Sequence, residues 1–396
     1  MPASPRTARA INDRLALSLL QSEGPLTAGQ LKQLTGLSRP TVADLVARLQ
    51  SSGLITVVGE TGETRRGPNA RLYGIVADRA HLAALDVRTQ GVTVVVTDLL
   101  GARLAEASLP VDPDTRTASA VAGAVGLVER TAEQAGGRPL HSVAVGAPGL
   151  IDPVTGELRD VSDLPEWHRS LVGALQDRLP ARVLVENETN LAALAERQYG
   201  AARDRGTFVL LWLGHGIGAA VVLEGALRRG ASGGAGEIGF LPVPGTTGLP
   251  WSTGRDQGFH HLVSAPAIRD LAVEHGLAAT GEPDAPMAAA LVRAAVAAGE
   301  HRFLDELAHR LALGVAAVAA VLDPGCVVLG GETGLAGGPV LADRVGRHLG
   351  AISPLRTEVR AGELGGGAVL RGALLMAREA AQDELFAPAA MPTPTA

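Results

Sequence analysis

Cysteine and aromatic residues are scarce in this sequence of 396 residues. Cysteine occurs once, at Cys326, so the chain can form no internal disulfide and no zinc site from several thiolates. A single cysteine also fits a reducing, intracellular setting. Aromatic residues make up 3% of the chain and hydrophobic residues 46%, so we expect an ordered core built mainly from Ala, Val and Leu.

Long apolar segments are also absent. The longest apolar run, residues 311–322, is too short to span a bilayer and ends at Asp323. The first residues include Arg6, Arg9 and Arg14, where an export signal needs an uninterrupted apolar stretch. We therefore expect a cytoplasmic protein with no membrane partner and, from its length, two or three domains.

The charge is divided unevenly along the chain. Residues 1–78 contain nine Lys/Arg and six Asp/Glu, a balance of +3, and the remainder contains 26 and 35, a balance of −9. A basic N-terminal segment on an acidic body is a weak indication that the N-terminal segment binds a polyanion.

The first 78 residues have the pattern of a winged helix-turn-helix domain. A helix is predicted over residues 8–22, and a second begins at Thr27, with Leu31 and Leu34 facing the core. Ser38 is the predicted N-cap of a third helix. That helix has one apolar stripe, formed by Val42, Leu45, Val46 and Leu49. Two strands, residues 54–58 and 71–75, follow around a polar loop.

This arrangement suits DNA, because the third helix can enter the major groove with its N-terminus first. The wing loop can reach the backbone or the minor groove. The alternative is a small helical core with solvated arginines. The DNA-binding residues predicted here, on the third helix and at the tip of the wing, are Ser38, Arg39, Thr41, Arg48, Arg65 and Arg66.

From Leu82 onward, β-like runs alternate with Ala/Leu-rich helical stretches, which predicts an α/β body. Glycine-centred stretches follow three of these runs, at 146–149, 214–218 and 330–331, where backbone amides can approach a phosphate. Glu186-Asn187-Glu188 follows another run. Such polar groups are placed for hydroxyl binding or base catalysis, although they could instead cap the next helix.

Five motifs occur in an order that resembles the ROK family of repressors, open reading frames and sugar kinases, and specifically its repressor branch. The motifs are VAVGAPGLID, SDLPEWHR, VENETNLAALAE, LGHGIGAAVVLEGALRRGASGGAGEIG and VVLGGETGLAGG. The resemblance covers nearly the whole chain and implies an actin-like, two-lobed sugar-kinase fold. We divide the chain into a winged-helix head at 1–78, a first lobe at 79–188 completed by 368–385, a second lobe at 189–367 for effector binding and oligomerisation, and a flexible tail at 388–396.

The sequence departs from the family pattern where phosphate is bound and transferred. Both glycines of the family's first phosphate loop are replaced, by Arg88 and Thr89, whose side chains should obstruct an ATP phosphate. The family's catalytic Asp corresponds to Glu188. A longer carboxylate misplaces a general base by about 1 Å, which can cost on the order of 10²-fold in rate.

The family's zinc and sugar positions are only partly retained. The motif that ends in His in the family ends here in Phe240, and the three-cysteine zinc loop, around 251–258, has no cysteine. The adjacent His260 and His261 could be metal ligands, but without a third partner we interpret them as solvated or pocket-lining. We expect no metal and no cofactor. The effector-binding residues implied by the resemblance are Asp163, Asn187, Glu188, Glu237 and His260.

Three functions are compatible with these observations. The first is a transcriptional regulator, a repressor of carbohydrate-related genes, whose inactive kinase-like body senses a sugar or a derivative. It would bind an inverted-repeat operator in double-stranded DNA as a dimer or tetramer. The second is an active sugar kinase with an extra domain, and the third is a regulator whose body serves only for assembly. The winged helix and the altered phosphate loop favour the first.

Overall fold

The computed structural model describes residues 5–61, 70–159, 164–246, 248–250 and 257–386. The predicted wing residues Arg65 and Arg66, the predicted effector residue Asp163 and the C-terminal tail at 388–396 lie outside these ranges.

The N-terminal region, which we call the head, contains three helices and a small antiparallel sheet, as predicted. The sheet has the order β1-β3-β2. The elements are α1 (Pro5–Ser22), β1 (Leu26–Thr27), α2 (Ala28–Thr35), α3 (Arg39–Ser51), β2 (Ile55–Thr61) and β3 (Ala70–Ile75). The capping box of Thr27 with Gln30 and the N-cap at Ser38 are both confirmed.

The apolar stripe of α3 forms the centre of the head, with each of its four side chains at most 5% exposed. In α2, Leu31 is buried as predicted, but Leu34 is 51% exposed, so its predicted place in the core is wrong. Residues three apart differ in direction by about 60° around a helix axis. A helix of eight residues that packs through one narrow face can therefore bury the first and leave the second in solvent.

The body contains two sheets of the same design. In the first, of order β6-β5-β4-β7-β8, the hairpin strands β6, β5 and β4 are antiparallel, whereas β7 and β8 run parallel to β4. The second sheet repeats this plan in the order β11-β10-β9-β12-β13. This duplication, in which each sheet belongs to one lobe, is the two-lobed arrangement that the resemblance implies.

The strands lie close to the predicted runs. In the first lobe they are β4 (His81–Arg88), β5 (Gly91–Asp98), β6 (Arg103–Pro110), β7 (Leu140–Ala147) and β8 (Arg182–Asn187). In the second lobe they are β9 (Phe208–Leu213), β10 (Ile217–Leu223), β11 (Ala226–Arg228), β12 (Cys326–Gly330) and β13 (Glu358–Ala361).

Helices cover the sheets of both lobes. They are α4 (Thr117–Gln134), α5 (Glu166–Arg178), α6 (Glu188–Tyr199), α7 (His260–Val263), α8 (Ala265–Glu274), α9 (Ala285–Ala298), α10 (His301–Leu322), α11 (Gly331–Ile352) and α12 (Ala368–Leu385). The C-terminal helix α12 packs on β4, β7 and α6. That contact supports the assignment of 368–385 to the first lobe, although the domain boundaries remain a prediction.

The head and the first lobe share one apolar cluster, which extends from Leu17 and Leu45 through Leu82 to Val369. Continuous burial of this kind fixes the head against the body more firmly than a polar linker does. Within the ranges that the structure describes, no helix is long and apolar enough to cross a membrane.

Candidate functional site

The first turn of α3 presents polar side chains at the amino end of the helix. The Ser38 hydroxyl accepts a hydrogen bond from the Thr41 amide at 3.3 Å, and the two hydroxyl oxygens lie 2.8 Å apart. Arg39, the first helical residue, is exposed. The end of a helix that carries unsatisfied amides and a guanidinium favours an anion such as a DNA phosphate.

Arg48 lies on the same helix but binds carboxylates of the head itself. Its Nη2 is 2.6 Å from Asp13 Oδ1, on α1, and it also pairs with Asp44 one turn earlier. The hydrogen bond to Asp13 is the main reason that the pKa of Arg48 is raised. Arg48 therefore braces α3 against α1, and any contact with DNA has to compete with this pair.

In the body, Asn187 stands at the junction of β8 and α6. Its side-chain oxygen accepts from the Thr189 amide at 2.8 Å, which makes it the N-cap of α6. Its side-chain nitrogen donates to the Gly149 carbonyl at 2.9 Å. The capping alternative considered from the sequence is therefore present for Asn187, and the same side chain holds the Gly149 loop beside the carboxyl end of β8.

The Gly149 loop in turn contacts the loop that contains Glu237. A Cβ at Gly234 would lie 3.6 Å from Leu150 and 3.8 Å from Glu237 Cγ, and a Cβ at Gly233 would collide with the Ile151 carbonyl. The carbonyl of Gly236, a residue at φ 95°, accepts a hydrogen bond from the Ala219 amide of β10 at 2.8 Å, and a side chain at Gly236 would strike the Ala219 backbone. The close approaches at Gly233 and Gly236 require glycine, and they hold the loop that contains Glu237 against the Gly149 loop and β10.

His260, the first residue of α7, is the neighbour of this loop on the other side. A Cβ at Gly239 would lie 3.7 Å from His260 Cβ. The structure thus brings His260 close to the segment that contains Glu237. Asn187 caps α6, and Glu188 is half-buried at the first position of that helix. Their role in binding an effector remains a prediction.

Sequence reasoning missed an ion pair next to Asn187. Glu186 is 3% exposed, and its Oε2 is 2.6 Å from Arg229 Nε, on the loop that follows β11. The other carboxylate oxygen accepts from the Asn187 amide and from the side chain of Asn190, both at 2.9 Å. Glu186 was read only as part of a polar run, but its burial identifies it as the residue that positions Asn187.

Arg88 connects the two lobes at the place of the first phosphate loop. Its guanidinium lies 3.0 Å from Asp86 in the same strand and 2.6 Å from Glu332, which follows β12 of the second lobe. It also donates to the Gly366 carbonyl at 3.1 Å. A Cβ at Gly366 would approach the Glu332 carboxylate at 2.7 Å, so a small residue is needed there.

The charges of this cluster are strongly coupled. Burial disfavours the charged form of Arg88, but Asp86 and Glu332 outweigh it, and the pKa of the guanidinium is raised. The pKa of Asp86 is also raised, because its burial costs more than the attraction to Arg88 returns. The guanidinium therefore stays charged while it occupies the end of the first strand of the lobe.

The residues present do not fit the zinc site that the family resemblance implies. The one cysteine, Cys326, is buried in β12. Among the residues described, no three His, Cys, Asp or Glu side chains are close enough to hold a metal ion. Most of the loop that corresponds to the family's zinc loop, 251–256, lies outside the described ranges.

Comparison with known proteins decides the family. The model of the ROK family matches residues 82–380, about three quarters of the chain, and the model of the MarR family matches residues 11–67 of the head. The chain belongs to the ROK family. Its resemblance to that family and its winged-helix head, both predicted from the sequence, are confirmed.

Curated relatives of this ROK protein include regulators and enzymes. The DNA-binding transcriptional dual regulator NagC of Escherichia coli is 26% identical over 243 residues, which cover 59% of this chain and 58% of that protein. The bifunctional enzyme NanE/NanK of Brucella suis is 36% identical over 199 residues, 49% of this chain and 34% of the enzyme. The chain thus spans between about a third and three fifths of these two relatives.

Solved structures share the fold. A ROK family transcriptional regulator, described as a homologue of the E. coli MLC protein, superposes with a TM-score of 0.76 at 20% identity and covers 96% of this chain and 98% of its own. A ROK family glucokinase from Streptomyces griseus, in complex with glucose and AMPPNP, has a TM-score of 0.62 at 24% identity and covers 76% of this chain. The regulator includes a counterpart of the head, whereas the glucokinase matches three quarters of the chain.

Proposed function

We propose that this ROK protein is a DNA-binding transcriptional regulator, a repressor, that binds a sugar or a sugar derivative in its two-lobed body. The observation that carries the proposal is the head, a winged helix whose third helix exposes Arg39 at a capped amino end. The relatives named as the NagC regulator, the N-acetylglucosamine repressor and the xylose repressor support this reading. The protein would act in the cytoplasm, where the DNA is.

The proposal includes two heads on one operator. A single winged helix covers one half-site, so affinity and selectivity require a symmetric dimer, or a dimer of dimers, on an inverted repeat. Fluorescence anisotropy with fragments from upstream of the gene tests this. We expect specific binding whose dependence on protein concentration is steeper than that of a single-site binding curve. If no fragment binds better than random DNA, with or without candidate sugars, the regulator proposal fails.

We further propose that the body transfers no phosphate. Arg88 fills the position where the family's glycine loop approaches ATP, and its pairs with Asp86 and Glu332 hold it there. Incubation with ATP, Mg²⁺ and a panel of sugars should release no ADP above background. The second candidate function, a sugar kinase, is favoured by the relatives named glucokinase and NanE/NanK, and turnover of any common hexose would establish it.

We propose that the effector binds in a cleft between the lobes, at Asn187, Glu188 and Glu237. Because Asn187 also caps α6 and holds Gly149, its replacement would disturb the fold. Glu237→Gln is the cleaner variant, since it keeps the shape and removes the charge. A thermal-shift screen of sugars should find a ligand whose stabilisation is lost in Glu237→Gln and kept in the control Glu157→Gln. A body that binds none of them would serve only for assembly.

A further inference from the structure

A cavity of about 470 Å³ opens where the head joins the first lobe. Its volume falls in the range of small-molecule sites, about 300–1,000 Å³. Basic side chains outnumber acidic ones in its lining. The ionisable lining residues are Asp78, Arg79, His81, Arg138, His141, Arg182 and Glu384.

This cavity lies at the opposite end of the parallel strands from Asn187 and Glu188, two of the predicted effector residues. β4, β7 and β8 run parallel and begin at His81, Leu140 and Arg182, so their starting residues meet at one edge. Asn187 and Glu188 lie at the other end of β8. The seven intervals between the eight residues of β4, at about 3.3 Å each, separate the two ends of the strand by about 23 Å. The cavity is therefore a separate site.

Two of the three arginines of the cavity, Arg79 and Arg182, are not paired with a carboxylate of the described residues. Arg138 Nη2 is bound to Asp78 at 2.8 Å, and His141 Nε2 lies 3.8 Å from Glu384. Arg79 and Arg182 are exposed, and within the described ranges their side chains form no hydrogen bond or ion pair. Two guanidinium groups thus remain available at the rim of one cavity.

His81 provides an independent observation in the same cavity. Its side chain lines the cavity and is 5% exposed, and its Nδ1 is buried with no hydrogen-bond partner among the residues described. A buried polar atom without a partner is costly, and such atoms in folded proteins are nearly always satisfied. Rotation of the ring toward the cavity would let the Nδ1–H group donate to an acceptor oxygen of a bound anion.

We propose that this cavity binds a phosphate-bearing small molecule through Arg79 and Arg182, with His81 donating from the floor. Guanidinium groups bind phosphate oxygens through paired, charge-assisted hydrogen bonds. A polar cavity of this volume has room for a monophosphate or a diphosphate ester. The occupant would contact the turn Ala77–Arg79, which leaves the head, and the first strands of the lobe together. The proposal does not depend on the function of the head.

The test is calorimetric titration of the full-length protein with inorganic pyrophosphate, at constant ionic strength set with NaCl. We expect saturable binding near one site per chain. Arg79→Ala/Arg182→Ala should weaken it at least about tenfold, because charge-assisted hydrogen bonds are lost. Arg302→Ala/Arg356→Ala removes two exposed arginines elsewhere and should leave it unchanged. His81→Gln should weaken binding, and the unfolding transition of each variant checks its fold.

Three results would overturn the proposal. They are absence of saturable binding, an equal loss in both double variants, and citrate binding as tightly as pyrophosphate, which would indicate a general anion site. A competition arm distinguishes a free phosphate from a DNA phosphate. Two results together would show that the cavity binds the DNA backbone and that the small-molecule proposal is wrong. Non-specific duplex DNA would displace pyrophosphate, and Arg79→Ala/Arg182→Ala would weaken the binding of DNA as much as the binding of pyrophosphate.

Discussion

Arginines in the head and at the cleft of the body are used in opposite ways. Arg39 is exposed at the start of α3 and makes no ion pair with any residue that the structure describes. Arg88 is paired with Asp86 and Glu332 and joins the two lobes. The same residue type is therefore available to an external anion in the head and is paired with internal carboxylates in the body. Exposure and partners, rather than residue type, decide which arginine can bind a ligand.

Removal of Arg88 should have the largest effect. Arg88→Ala leaves the buried Asp86 without its partner, and we expect a loss of about 3 kcal/mol in the free energy of unfolding, less than for a fully enclosed pair because Arg88 is partly exposed. Urea denaturation at pH 7 measures it, with Arg103→Ala, from a surface pair with Glu106, as the control. A loss no larger than that of the control would show that the cluster does not hold the lobes together.

His168, which lies against the backbone of Arg88, should make stability depend on pH. Burial lowers the pKa of His168 to about 4, below its ordinary value of 6.5. Between these values the unfolded chain binds more protons than the folded one, so stability should fall as the pH is lowered from 6.5 to 4. The loss amounts to about 2–3 kcal/mol. Urea denaturation across this range measures it. His168→Leu should flatten the curve, and equal slopes would contradict the assignment.

Arg39 should act on DNA and not on stability. Arg39→Ala is expected to cost about 1–3 kcal/mol of operator binding if the side chain reads a base, with relaxed preference at one position of each half-site. Fluorescence anisotropy at several salt concentrations checks this. A uniform loss on all sequences, with a flatter salt dependence, would instead identify a phosphate contact.

Arg48 combines features of Arg88 and Arg39, since it pairs with carboxylates of the head and lies on the predicted DNA-binding helix. Because it holds α1 to α3 through Asp13, Arg48→Ala should lower the stability of the head by about 1 kcal/mol or less, as expected for a half-exposed pair. Asp13→Asn should cause a similar loss, and the double variant should cost little more than either single one. A large loss of operator affinity in Arg48→Ala that Asp13→Asn does not share would restore the DNA contact predicted from the sequence.

The elements and the family could be predicted because they depend on local patterns. The spacing of Val42, Leu45, Val46 and Leu49, the caps at Thr27 and Ser38 and the β-like runs all act over a few residues, and each appears in the structure where expected. The exposure of Leu34 was missed because it depends on which face of a short helix meets its neighbours. The replacement of glycines by Arg88 and Thr89 was visible in the sequence, but the partner Glu332 was not.

The sequence by itself determined the winged-helix head, the α/β body, the ROK family and the loss of thiolates and phosphate-loop glycines. Hydrophobic periodicity, caps and residue types decide these within short windows. Only the tertiary structure decided the ion pairs, since Arg88 and Glu332 are 244 residues apart and Arg229 and Glu186 are 43 apart. It also brought the starts of β4, β7 and β8 to one edge, with Arg79, His81 and Arg182 around a cavity. Contacts between distant residues depend on how sheets and helices pack, and no local pattern encodes that packing.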